Sequence, residues 1–302
     1  MRSRALAAAA FAFIALLPAA APPAPRASLL VSTAWLARHI GDPNLVILQV
    51  GPDAGFARHI PGARHVALND ISVSNHCCGN MLELPTAADL HDRLARLGIG
   101  DNARIVVAYD DDWVSPATRV VFTLGAAGFN DRVSLLDGGV NAWRRERRPL
   151  TADAAPQRAA RLSPLHMQPW TVDAAFVRAN AGRRGFALVD ARDPSFYDGV
   201  QVGQGMHGEP HERGHIPGAV NIPFTTLTNP DLMVRPAAEL AGAFQHAGIH
   251  RGDTVIVYCH IGQQGTAIVF AARSLGYRAL LYDGSFEDWS RRDLPAEARA
   301  RS

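Results

Sequence analysis

The sequence lacks charge imbalance, is poor in cysteine, and has no long apolar run. Lys and Arg number 30 against 28 Asp and Glu, a formal net charge of +2 over 302 residues. That leaves no electrostatic footprint for nucleic acid or an anionic membrane. The apolar run at residues 5–17 is shorter than the roughly 20 residues needed to span a bilayer. Two arginines precede it and PAAAPPAPRA follows, the n-region, h-region and small-residue exit of a secretory signal. Residues 1–25 are therefore read as a removed signal peptide, with an uncleaved anchor as the alternative. A periplasmic or secreted bacterial location follows, with no stable membrane span after processing.

Cysteine is limited to Cys77 and Cys78, adjacent in SNHCCGN, and Cys259. An odd count leaves at least one thiol without an internal partner, in a compartment where thiols tend to be oxidised. Beside His76 the vicinal pair invites a metal reading, but four ligands at suitable spacing are missing. A vicinal or intermolecular disulfide, or a pair of buried small residues, are the other readings. No metal and no organic cofactor is expected.

What the chain does have is 48% hydrophobic and 19% charged residues, an ordinary folded composition on a length that exceeds one usual core. It also repeats itself. HIPGA occurs at residues 59–63 and 215–219; IVVAYD is matched by VIVYC, GAAGF by RSLGY, and LLDGGVNAW by LYDGSFEDW, in the same order. This is a tandem duplication. Each copy opens with a strand (LVILQV, FALVDA), turns at HIPGA, and continues with a helix, a β-branched strand, a second helix, a short strand ending at Asp-Gly and a Trp-containing helix. Thr86 and Asp89 are spaced as a capping box for the first copy's helix. Alternating strands and helices predict an α/β fold, each copy a central parallel sheet with helices on both faces. The domains are placed at residues 28–150 and 170–302, with 151–169 as linker.

Cys259 ends the strand VIVY, and an amphipathic helix is predicted over 266–275. Ligands collect outside the carboxyl ends of strands in open parallel sheets, and a helix N-terminus favours an anion. The loop from Cys259 to Gln264 is thus expected to stabilise a thiolate and to bind an anionic group, with Gly262 letting it curl around the sulfur. The alternative is a small apolar residue ending a buried strand. A phosphatase loop would need an arginine six positions after the cysteine, where Gly265 stands.

HIPGA after the strand carrying Asp190 and Arg192, the Cys-initiated loop, and DGS followed by Trp289 together resemble two-domain rhodanese-type sulfurtransferases over nearly the whole mature chain. The resemblance implies two rhodanese-like domains, the first catalytically degenerate because Asp110 stands where the second has Cys259. It implies transfer of sulfane sulfur from thiosulfate or a related donor to cyanide or a thiol through a Cys259 persulfide. Arg192 corresponds to the family's substrate-binding arginine, supported by Asp190, or else pairs with an aspartate at the surface. His260, Ile261, Gly262, Gln263, Gln264 and Gly265 line the substrate loop, His260 able to add positive charge near its ordinary pKa of about 6.5. CHIGQQ matches neither the basic loop of thiosulfate-type members nor the Ser or Thr loop of mercaptopyruvate-type members. A 3-mercaptopyruvate sulfurtransferase, or a sulfur carrier without turnover, are the alternatives, and a protein acceptor is possible. The longer second-copy loop, residues 200–214, reads either as a rim over the site or as a solvated loop.

Overall fold

A computed structural model describes residues 25–74, 80–110, 113–156, 160–205 and 208–298. The signal-peptide reading and Cys77 and Cys78 lie outside the described residues, Pro25 apart. Among the described residues ten strands form two five-stranded sheets. The first contains β1 (Leu30–Val31), β2 (Leu45–Val50), β3 (Ala63–Val66), β4 (Arg104–Tyr109) and β5 (Val133–Leu136), in the order β1-β5-β4-β2-β3. The second contains β6 (Thr171–Val172), β7 (Phe186–Asp190), β8 (Ala219–Asn221), β9 (Thr254–Tyr258) and β10 (Arg278–Tyr282), in the order β6-β10-β9-β7-β8. Every pairing is parallel. The fold is α/β, two copies of one topology.

Parallel sheets covered on both faces read as continuous apolar runs, and β2 and β9 are buried at every position. Both HIPGA turns close with Ala N–H to Ile C=O bonds, and Gly62 and Gly218 take φ of 77° and 79° there. Trp143 and Trp289 each donate their indole N–H to the carbonyl of a proline six residues on, Pro149 and Pro295. The capping expectation holds by half: Thr86 accepts from the Asp89 amide, but the Asp89 carboxylate takes the Thr86 hydroxyl instead of reaching its amide.

Outer faces of the two sheets bury separate clusters, around Trp143 in one and Trp289 in the other. Their inner faces share one core, in which helix Ser115–Leu124 of the first domain packs on helix Gly265–Ser274 of the second. That shared layer brings first-domain side chains to the end of β9.

Candidate functional site

Alternation along β9 decides where its sulfur goes. Val255 and Val257 point into the inner core, Ile256 and Tyr258 into the outer cluster with Phe286 and Trp289. Cys259 follows in phase with Val257 and leaves the central strand on the inner side, at the N-terminus of helix Gly265–Ser274. Between them Gly262 takes φ of 80°. A Cβ there would lie 2.6 Å from the Asp283 carbonyl oxygen, so only glycine lets the loop close.

Closed in this way, the loop turns the amides of Ile261, Gly262 and Gly265 onto the Cys259 sulfur, and the Ser285 hydroxyl beside it accepts from the Cys259 amide at 3.2 Å and donates to the Tyr282 carbonyl at 2.9 Å. The loop amides and the helix N-terminus favour a thiolate. Burial opposes them, because Cys259 has no exposed surface. It is the largest influence, and it pushes the thiol above its ordinary range despite the surrounding amides. The expectation that the loop alone holds the sulfur ionised is therefore corrected: in the closed site desolvation outweighs the amides.

Arg192 leaves β7 beside the loop and is 1% exposed. Its Nε lies 3.0 and 3.1 Å from the two Asp190 carboxylate oxygens, and its Nη2 lies 2.5 Å from Oδ2 and 2.7 Å from the Gly214 carbonyl. The guanidinium carbon sits 3.9 Å over the Phe286 ring. Burial works to lower the Arg192 pKa, but the Asp190 charge and hydrogen bonds carry the balance upward. The aspartate pairing is thus internal, not at the surface. It commits two of the three nitrogens, leaving Nη1 without a bond to a described residue.

His260 sets its ring edge-on to Phe196, with centroids 4.6 Å apart. Burial first, then the charges of Arg192 and His211, push its pKa down to about 3. It is neutral at pH 7, which corrects the expected positive charge. Gln263 is buried, its carbonyl accepting from the Thr266 hydroxyl at 2.6 Å. Gln264 holds a buried side-chain oxygen without a hydrogen bond. Of residues 200–205 and 208–214, Val200, Gln201, Gln204, Gly208, Pro210, Glu212 and Arg213 are exposed while His211 and Gly214 are buried; Gln204 pairs with Pro210, the His211 amide donates to Gly203, and the Glu212 amide donates to Ser290 Oγ at 3.0 Å. Gly203 lies so near the site that a Cβ on it would come within 3.0 Å of His260 Nδ1.

One participant from the first domain was not anticipated. Arg119, fully buried in helix Ser115–Leu124, bonds to Asp283 Oδ1 at 2.6 Å, to the Gly262 carbonyl at 3.2 Å and to the Leu82 carbonyl. Its signal in the sequence is a lone arginine inside the otherwise uncharged helix SPATRVVFTL. At the end of β4, where the second domain has Cys259, Asp110 pairs with Arg144 at 3.0 Å. A carboxylate held in this way cannot carry sulfur. Among the described residues no group of three or more His, Cys, Asp or Glu is arranged to hold a metal, and no helix is long and apolar enough to cross a membrane.

Among the described residues, fold and site define a tandem α/β protein with a buried cysteine in an amide-lined loop of its second domain. The chain belongs to the rhodanese family: the model of the rhodanese-like domain matches residues 32–146 and 173–292. It is 30% identical over 273 residues to a thiosulfate sulfurtransferase of Pseudomonas aeruginosa, covering 89% of this chain and 97% of that protein. It is 29% identical to a sulfur carrier protein of Thermus thermophilus (86% and 93% covered) and 30% identical to a human 3-mercaptopyruvate sulfurtransferase (80% of each). The wild-type structure of EanB superimposes with a TM-score of 0.80 at 21% identity, over 92% of this chain and 71% of that one, a likeness of fold.

Proposed function

We propose that this protein is a sulfurtransferase that moves sulfane sulfur from thiosulfate, or a related anionic donor, to cyanide or a thiol. The carrying observation is Cys259 at the end of the central strand, its sulfur faced by the amides of Ile261, Gly262 and Gly265 at the N-terminus of helix Gly265–Ser274. The Cys259 thiolate attacks the outer sulfur of thiosulfate. A new S–S bond forms, the old one breaks, and sulfite leaves with the bonding pair. The persulfide left on Cys259 lies among the loop amides. Cyanide or a thiolate then takes the outer sulfur, and the Cys259 sulfur departs as thiolate into the same donors. Entry of the donor must open the closed site, and the same opening admits water, weakening the desolvation that holds the proton on sulfur.

A second reading, a sulfur carrier without turnover of small acceptors, is favoured by the similarity to the Thermus thermophilus carrier. It needs the same persulfide. The pattern of residues 1–25 supports the reading of an exported protein, periplasmic or secreted.

One experiment addresses both the nucleophile and the leader. The intact mass of protein from a periplasmic extract is expected to correspond to a chain starting near residue 26. Thiosulfate should then add one sulfur atom to the peptide containing Cys259, and cyanide should remove it. Cys259→Ser should abolish the gain with the fold intact, whereas a gain that survives the substitution would move the chemistry to another cysteine. A carrier would stall after one equivalent of thiocyanate; a transferase would continue.

A further inference from the structure

The first domain has no counterpart of residues 200–214, and in the second they deliver one side chain to the site that nothing above employs. His211 is 6% exposed, and neither ring nitrogen has a hydrogen-bond partner among the described residues. A buried imidazole left in that condition is costly, since each polar atom has lost water without a replacement. The ring is nevertheless held in place. Its backbone amide donates to the Gly203 carbonyl at 2.9 Å, and the next amide, of Glu212, bonds to Ser290. Ring centroids of His260 and Phe286 both lie 6.1 Å from its own. Phe286 donates its amide to the Cys259 carbonyl at 3.0 Å, and the Arg192 guanidinium stacks on the Phe286 ring. His211 therefore shares the wall of the cysteine loop with Arg192.

We propose that His211 is a donor-contacting residue: one ring N–H meets the oxyanion end of a small anionic sulfur donor, a sulfonate or carboxylate, while its transferable sulfur lies against Cys259. The carboxylate reading covers 3-mercaptopyruvate and the sulfonate reading thiosulfate. Both groups present acceptor oxygens that a neutral imidazole can serve without competing with Asp190 for Arg192. Burial first, then the Arg192 charge, hold the His211 pKa down to about 4, so a neutral ring is what the donor meets at pH 7. The Glu209 charge acts in the opposite direction. The free Nη1 of Arg192 supplies a second donor nearby. The loop CHIGQQ carries no Lys or Arg, and the inserted histidine supplies from outside the loop a contact that a basic loop residue would otherwise make.

The proposal rests on the sulfurtransferase reading, and the experiment separates the two. In a double-displacement cycle kcat/KM for the donor and kcat/KM for the acceptor report independent half-reactions. Both are measured with cyanide as acceptor and with whichever of thiosulfate and 3-mercaptopyruvate the unmodified protein uses better. If neither donor yields a persulfide on Cys259 of the unmodified protein, it is the underlying reading that fails. His211→Ala is expected to lower the donor constant roughly tenfold to a hundredfold, the worth of a hydrogen bond to a charged group, and to leave the cyanide constant within about twofold. His211→Gln, which keeps an N–H in the pocket, should stay within roughly threefold of the unmodified donor constant. An unchanged donor constant in His211→Ala, or an equal fall in both constants as from a distorted cysteine loop, would overturn the assignment. A check on the native ring uses Cys259→Ser labelled with 15N-histidine: thiosulfate should shift the His211 ring resonances, and resonances that do not move would also overturn it.

Discussion

At Cys259 the amides and the burial pull in opposite directions, and two neighbouring histidines settle which charges are available. His260 and His211 are held down to about 3 and 4, against about 6.5 in an unfolded chain. Between those values the unfolded chain binds protons that the native state refuses, so stability rises with pH there and is lost as pH falls from about 6.5. The slope has an upper limit of about 1.4 kcal/mol per pH unit for each histidine. Urea unfolding between pH 4 and pH 7 should therefore show a steeper loss for the unmodified protein than for a His211→Gln, His260→Gln double variant. Parallel curves would show that the rings titrate in the native state as they do in the unfolded chain. At this scale the sequence was legible for Cys259, which ends an unmistakable β-branched strand, and for Gly262. It was illegible for the charge of His260, because that charge is set first by burial and then by Arg192 and His211, which lie 68 and 49 residues away in the chain and reach it only through the fold.

Among the elements, the segment from the end of β9 to the start of the next helix has the least freedom to change. Gly262→Ala would place a methyl group 2.6 Å from the Asp283 carbonyl oxygen and 3.2 Å from Oδ1, on a backbone at φ 80°. The substitution is expected to cost about 1–3 kcal/mol and to lower both half-reactions at least roughly tenfold, since the amides of 261 and 262 would turn from the sulfur. Gly242 is the matched control. It sits inside helix Ala237–His246 at an ordinary φ, and a methyl group there would meet nothing within 4 Å, so Gly242→Ala should stabilise the protein by about 0.5–1 kcal/mol with transfer unchanged. Chemical unfolding and a thiocyanate assay on both variants check the pair, and equal effects would deny the loop its special geometry. Strand and helix identities could be read from periodicity because both sheets are buried on both faces. Helix ends were less legible: the helix expected at 266 begins at Gly265, since glycine has no side chain to announce that its amide faces a ligand loop.

Over the whole molecule, duplication was visible in the chain but the docking of its halves was not. The Asp of each Asp-Gly, Asp137 and Asp283, accepts an amide from the opposite domain, from Val234 at 2.8 Å and Leu84 at 2.7 Å. Leu84 and Val234 are themselves equivalent positions of the repeat, each three residues before the first residue of its helix, Ala87 and Ala237. A repeated sequence specifies each copy's fold; which faces meet depends on surfaces that only the folded copies possess. Arg119 breaks this symmetry. It is the first domain's one fully buried cation, among the described residues, and it ties Asp283 to the Gly262 carbonyl, so the degenerate domain retains a hold on the loop that carries Cys259. Arg119→Met removes that hold and leaves Asp283 without its cation, bonded to the Leu84 amide alone on this side, an expected loss of about 3–5 kcal/mol. Because the arginine touches the loop and not the donor's path, the donor and acceptor constants should fall together, unlike the one-sided loss expected for His211→Ala. Adding Asp283→Asn should recover part of the stability by removing the stranded charge, and the double-mutant cycle measures how much. Should Arg119→Met leave stability and both constants untouched, the first domain would be a passive neighbour of the site and the contact with Gly262 incidental.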